Sequence, residues 1–268
     1  MVRPAAFGFN PETAKTNTFQ RPVGPAPGAA AAARGEFEQL VRALASEGVS
    51  VCAVEDTPSP VKPDAVFPNN WVSFHQDGTL VLYPLQSASR RSERRQEVID
   101  AAIERLAFKV SRLVDLTPHE RHGRFLEGTG SLVLDHVQRV AYACASPRTH
   151  PQLVAEWARQ MEYEPVIFDA ADRAGVSFYH TNVLLSIGAR AVVVGAEAIA
   201  PADRERVLAR LKAGGREVIE IGQEALAPET FERLSGSTDA LVAVPVPTIE
   251  RLGGGSVRCM LAEVFRSA

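Results

Sequence analysis

The chain has little of what would commit it to a specialised class. It has three cysteines among 268 residues, Cys52, Cys144 and Cys259. So odd and sparse a set argues for reduced thiols in a cytoplasm rather than for a secreted disulfide framework. No apolar run approaches the ~20 residues of a membrane-spanning helix, and Met1-Val2-Arg3-Pro4 has no apolar stretch behind its charge. The expectation is a cytoplasmic protein with no membrane partner. Charge of one sign is also scarce: 29 Lys and Arg against 32 Asp and Glu leave a net charge of -3. No basic cluster interleaves with aromatics as a phosphate-tracking surface requires, so nucleic acid is not an expected partner. What remains, 46% hydrophobic and 23% charged residues, suffices for a full core without metal or disulfide.

A repeat organises the chain. Trp71 to His75 alternates in polarity, a turn follows at Gln76-Asp77-Gly78, and Thr79 to Tyr83 resumes the strand pattern. Ser92 to Ala107 then carries Val98, Ile99, Ala102, Ile103 and Leu106 at helical spacing, with a strand over 109–114. This ββαβ unit recurs with strands at 131–134, 139–143 and 165–168 around a helix at 149–160. It recurs again with strands at 183–187, 191–194 and 217–221 around a helix at 203–211. The ends complete a further unit: a hairpin of Met260–Phe265 with Val2–Phe7, a helix over 32–45, and a closing strand at 49–54. Residues 21–31, rich in Pro, Gly and Ala, read as a linker segment within a single domain, 1–268. After Ile221 a hairpin is missing, because Gly222-Gln223-Glu224 runs almost directly into a helical stretch at 228–234 and a strand at 240–244.

The functional reading rests on phase. Asn69 and Asn70 precede the first hairpin, Glu127 the second and His180 the third, and Cys259 precedes the strand assigned to the terminal unit. Repeats arranged around a pseudo-symmetry axis bring residues of one phase to one end of that axis. A thiolate that attacks, an imidazole that moves protons and a carboxylate that holds charge form a set able to perform covalent catalysis at an electrophilic carbon. Cys52 and Cys144 lie within strand patterns and read as small core hydrophobes. Gly253 to Gly255 lacks the Lys-Ser/Thr of a phosphate loop, and suits turn geometry or close approach to a ligand. His119-Glu120-Arg121-His122 lacks the spacing and the helix that align metal ligands, so no metal site is assigned. His75, His136 and His150 lie at hairpin or helix margins and read as solvated.

Together, Asp64-Ala65-Val66-Phe67-Pro68-Asn69-Asn70-Trp71, Leu126-Glu127-Gly128, Ser146-Pro147-Arg148-Thr149, His180-Thr181-Asn182 and Gly253 to Met260 carry a likeness. The chain resembles the amidinotransferase and arginine-deiminase superfamily, closest to its citrulline-utilisation hydrolase branch and more distantly to dimethylarginine dimethylaminohydrolases. The resemblance implies a five-bladed α/β propeller, the pentein fold, here with its fourth unit lacking a hairpin. It implies Cys259 as nucleophile, His180 as general acid/base and Glu127 as the carboxylate on the reacting group. Asp64 matches a substrate-contacting aspartate, and Arg90 and Arg148 match arginines that grip an amino acid's α-carboxylate, as their bidentate geometry suits. Guanidinium-binding relatives carry acids at the positions of Asn70 and sometimes Asn69, and arginine deiminases carry Asp at that of Asn182. A neutral ureido group has a carbonyl acceptor beside its N–H donors, which asparagines can match.

The expected activity is hydrolysis of a C–N bond in a small amino-acid substrate, with citrulline favoured, ornithine, ammonia and carbon dioxide as products, and no cofactor. A deiminase or dimethylaminohydrolase on arginine or methylarginine, an amidinotransferase, and a non-catalytic propeller like the ribosome-associated initiation factor of this fold stay open. So does a homodimer.

Overall fold

The first hairpin shows how this sequence makes its sheets. In the computed structural model, which describes residues 1–21, 27–222 and 228–265, the Asp77 side chain accepts the Thr79 N–H at 2.9 Å. Gly78 takes φ +79°, and a Cβ there would lie 2.6 Å from the Lys109 carbonyl oxygen. Only glycine combines that backbone with so close an approach. The chain divides into two compact units, Met1–Gly123 with Val242–Ala268, and Arg124–Leu241.

In chain order the first unit contains β1 (Val2–Arg3), α1 (Ala29–Ser46), β2 (Val54–Glu55), β3 (Val72–Phe74), β4 (Thr79–Leu82), α2 (Gln96–Leu106) and β5 (Arg112–Asp115). Strands β3 and β4 pair antiparallel and β4 and β5 parallel, the expected ββαβ connectivity. The apolar stripe of α2, Val98, Ile99 and Ala102, covers this sheet with Trp71, Phe74 and Phe108. Helix α1 buries Phe37 and Leu40, with Val41 and Leu44 packed alongside.

The second unit contains α3 (Gly128–Ser131), β6 (Val133–Asp135), β7 (Val140–Cys144), α4 (Pro151–Met161), β8 (Glu164–Phe168), β9 (Leu185–Ile187), β10 (Ala191–Val194), α5 (Pro201–Lys212), β11 (Glu217–Glu220) and α6 (Pro228–Gly236). Each of its two three-stranded sheets, β6-β7-β8 and β9-β10-β11, repeats one antiparallel and one parallel pairing. Val140, Tyr142, Val166, Leu185, Val192, Val194, Val207 and Leu211 fill a common core. The chain then returns to the first unit with α7 (Pro247–Gly253).

Three repeats therefore fold as read, in a mixed α/β architecture of small open sheets. Other expectations are corrected. Residues 240–244 form no strand: none of the described strands pairs with them, and Pro245 and Pro247 withhold donors just beyond. No hairpin strand occurs among the described residues of 222–246, as the truncated fourth unit predicts, although 223–227 lie outside the described residues. The terminal hairpin does not form. Instead β1 pairs in parallel with β2, which is all that remains of the strand at 49–54, while Ala262 and Val264 pack on the core as side chains. His75 is not solvated; it is 6% exposed, and its Nε2 lies 2.8 Å from Ser73 Oγ, which also meets the Tyr83 hydroxyl. Of the linker, residues 22–26 lie outside the described residues, and α1 already begins at Ala29.

Candidate active site

In the second unit the site is built where loops meet the ends of the β6-β7-β8 sheet. Leu126 bridges to Thr149, which sets Glu127 at the mouth of α3. The Glu127 N–H donates to the Arg148 carbonyl at 3.2 Å and to Ser131 Oγ at 3.0 Å. Hydroxyls fasten the surroundings: Ser131 Oγ donates to the Arg148 carbonyl, Thr149 Oγ1 to Ser131 Oγ, and Thr181 Oγ1 to the Ser131 carbonyl at 2.6 Å. The Cys144 N–H donates to Thr181 Oγ1. This lattice holds the Glu127 carboxylate 2.9 Å from His180 Nε2 and 3.5 Å from Arg148 Nη1. All three side chains are at most 3% exposed, and the Tyr179 ring lies beside both His180 and the Arg148 guanidinium. Such a carboxylate fixes the imidazole's orientation and counters the charge that an imidazolium carries. Asn182 is half-buried in the single turn Thr181–Val183 that follows His180.

In the first unit the nucleophile candidate rides on a loop. Glu36 of α1 accepts the Thr248 and Ile249 N–H groups at 2.8 and 3.0 Å, fixing the start of α7, where anionic groups are favoured. That helix ends at Gly254, with φ +65°, the left-handed termination that glycine supplies. Cβ atoms at Gly253 and Gly255 would lie 2.8 and 2.9 Å from the Phe67 ring, so the glycines let the loop lie flat against that ring. The single turn Val257–Met260 follows and buries Cys259 among Phe67, Val66 and Ile249. It packs against a second single turn, Pro68–Asn70. Arg258 turns away, donating to the Leu261 carbonyl and pairing with Glu263, so its charge is not directed at the thiol.

Beside Cys259 runs a buried polar network. Arg90 donates from Nε and Nη2 to the Glu93 carboxylate at 2.9 and 2.8 Å and from Nη1 to Asn70 Oδ1 at 2.9 Å. Asn70 Nδ2 donates to Asn69 Oδ1 at 3.0 Å. Asp64 accepts from Asn10 and Thr13 and lies 3.8 Å from Arg90.

The residues read from sequence thus fall into two local groups. Asp64, Asn69, Asn70 and Arg90 are linked, with Cys259 on the neighbouring turn, and Glu127, Arg148 and His180 are linked in the other unit. Sequence reasoning missed Glu93 and the strap Asn10, Thr13, Asn17 and Gln20, all buried. Asn17 and Gln20 donate to the Gly253 carbonyl, so they hold the loop that precedes Cys259. Their spacing of three, four and three residues in a stretch poor in large apolar side chains was the available signal. Cys144, by contrast, is a core thiol pushed up to about 12 by burial.

A family profile described as N,N dimethylarginine dimethylhydrolase, eukaryotic, matches residues 3–228 and 222–266. No curated protein sequence matches. Among solved structures, the N-terminal domain of ArgZ, an arginine dihydrolase of the ornithine-ammonia cycle in Cyanobacteria, superposes with a TM-score of 0.73 at 16% identity. The match covers 97% of this chain and 95% of that domain. AgrE in complex with L-arginine superposes with a TM-score of 0.73 at 15% identity; it too covers 97% of this chain, which spans 39% of the AgrE chain. A dimethylarginine dimethylaminohydrolase adduct with S-methyl-L-thiocitrulline gives a TM-score of 0.65 at 15% identity, covering 97% and 96%. These likenesses place the fold.

Proposed function

The chain belongs to the N,N-dimethylarginine dimethylhydrolase family, hydrolases of C–N bonds in guanidino groups, and from that premise we propose that it hydrolyses a C–N bond of a ureido or guanidino amino acid through Cys259. Citrulline is the substrate the residues favour. The observation that carries the reading is the buried Glu127–His180 hydrogen bond of 2.9 Å, which pairs an acid with a base. In this reading the residues form one catalytic domain with five propeller units in a cytoplasmic protein. Arg148 and Asp64 hold the amino-acid end, with Asn182 and the asparagine pair at the reacting group.

The Cys259 thiolate attacks the ureido carbon, and Glu127 holds the planar group. The bond from carbon to the ornithine nitrogen breaks as His180 gives that nitrogen a proton, leaving a carbamoyl group on sulfur. His180 then takes a proton from water, which attacks the thioester-like carbon and restores the thiol. The released carbamic acid falls to carbon dioxide and ammonia. Incubation with citrulline should yield ornithine and ammonia in equal amounts, and Cys259→Ser should abolish both. A second reading, arginine or a methylarginine as substrate, is favoured by the family match and by the ligands named for ArgZ and AgrE. Comparing kcat/KM for citrulline, arginine and dimethylarginine separates the two.

A further inference from the structure

The donors and acceptors in the network beside Cys259 can be ordered in only one way. An arginine guanidinium donates and never accepts, so Asn70 must offer its Oδ1 to Arg90. Its Nδ2 then faces Asn69, which must offer Oδ1 in turn. Asn69 is left with its Nδ2 outside this chain of bonds. That group is fully buried and has no hydrogen-bond partner among the described residues, a state that is unfavourable until an acceptor arrives. Glu93 fixes the start of the relay by holding two other edges of the guanidinium, which leaves Nη1 for Asn70. The turn that carries Asn69 packs directly on the turn that carries Cys259.

We propose that Glu93 and Arg90 are positioning residues that set the polarity of Asn70 and Asn69, so that Asn69 Nδ2 selects a substrate bearing a neutral carbonyl oxygen, a ureido group, over a donor-only guanidinium. The inference rests on the placement of the reacting group at Cys259 given above.

The test measures the citrulline-to-arginine ratio twice: as affinities by calorimetry on Cys259→Ala protein, and as kcat/KM with Cys259 intact. Asn69→Asp still accepts from Asn70 but replaces the unpaired donor by an acceptor, and should lower both ratios about 10- to 100-fold. Arg90→Lys keeps a donor-only head and should preserve the ratio even with reduced stability. The pair Arg90→Gln, Glu93→Gln removes both buried charges together and lets a carbonyl face Asn70; both amides can then turn over, and the ratio should fall. An unchanged ratio in Asn69→Asp, or equal shifts in Arg90→Lys and in the double variant, would overturn the relay while the nucleophile reading stands. Ornithine release that survives Cys259→Ser would overturn the nucleophile reading instead, and the affinities would still judge the relay. Failure of the Cys259→Ala protein to bind either ligand overturns both.

Discussion

The two compact units hold their candidate site residues by different means. In Arg124–Leu241 the carboxylate and the imidazole touch each other directly, and short hydroxyl-to-backbone bonds at the ends of a regular sheet support them. In the first unit Cys259 sits on a glycine loop whose position depends on side chains distant in sequence, Phe67 beneath it and Asn17 and Gln20 fastened to its carbonyls. A buried charge pair tolerates loss of a partner poorly, because what remains is an unpaired buried charge. A loop held by neutral amides loses its support in smaller steps. The Glu127–His180 pair is thus held by charge, and the loop before Cys259 by fit.

The largest effects should fall on the charged half. Glu127→Ala leaves Arg148 and His180 buried without their anion, and should destabilise the protein by about 3–5 kcal/mol in thermal or urea melts. His180→Ala should lower kcat by about 100- to 10,000-fold. Equal, small stability losses for Glu127→Ala and Cys259→Ala would erase the contrast between the halves. Next in size is Gly254→Ala. It forces a side chain to φ +65° with its Cβ 2.7 Å from Gln20 Cγ, and should cost about 1–3 kcal/mol together with activity.

Smaller still, Asn17→Ala and Gln20→Ala should each cost about 1 kcal/mol and change the rate at which iodoacetamide modifies Cys259. Modification of Cys144 should stay negligible near neutral pH, since burial holds its thiol at about 12. Faster labelling of Cys144 than of Cys259 would reverse the assignment. The smallest effect concerns Glu12. Its carboxylate accepts the Ala88 and Ser89 N–H groups at the head of the turn that carries Arg90, and Ser89 holds it down at about 2. A depressed carboxylate stabilises the fold above its unfolded value of about 4.3, and that stability is lost as pH falls through about 2. Glu12→Gln should therefore flatten the pH dependence of melting between roughly pH 5 and pH 2.

The legibility of the sequence follows the same division. The three ββαβ units were readable because each carries its own alternation, turn and amphipathic helix, so local pattern and tertiary packing agree. The pairing of Val2 with Val54 was not readable, because two-residue strands have no period. Nor was the course of 261–265, where Ala262 and Val264 offered a strand-like pattern that packing used instead. Glu127 and His180 announced themselves by phase, and the structure bonds them. Asn10 to Gln20 carry only an unassigned polar spacing, and nothing in the sequence separates Glu93 from the charges around it, while the structure buries it in a pair with Arg90.

The central claim is covalent catalysis by Cys259, and the direct measurement is the intact mass of protein quenched in acid during turnover of citrulline, followed by peptide mapping. The account predicts a carbamoyl adduct confined to the peptide containing Cys259, one that accumulates further when His180 is replaced by Gln and water attack slows. Turnover with no adduct, an adduct on Cys52 or Cys144, or undiminished ornithine release by Cys259→Ser protein would contradict it.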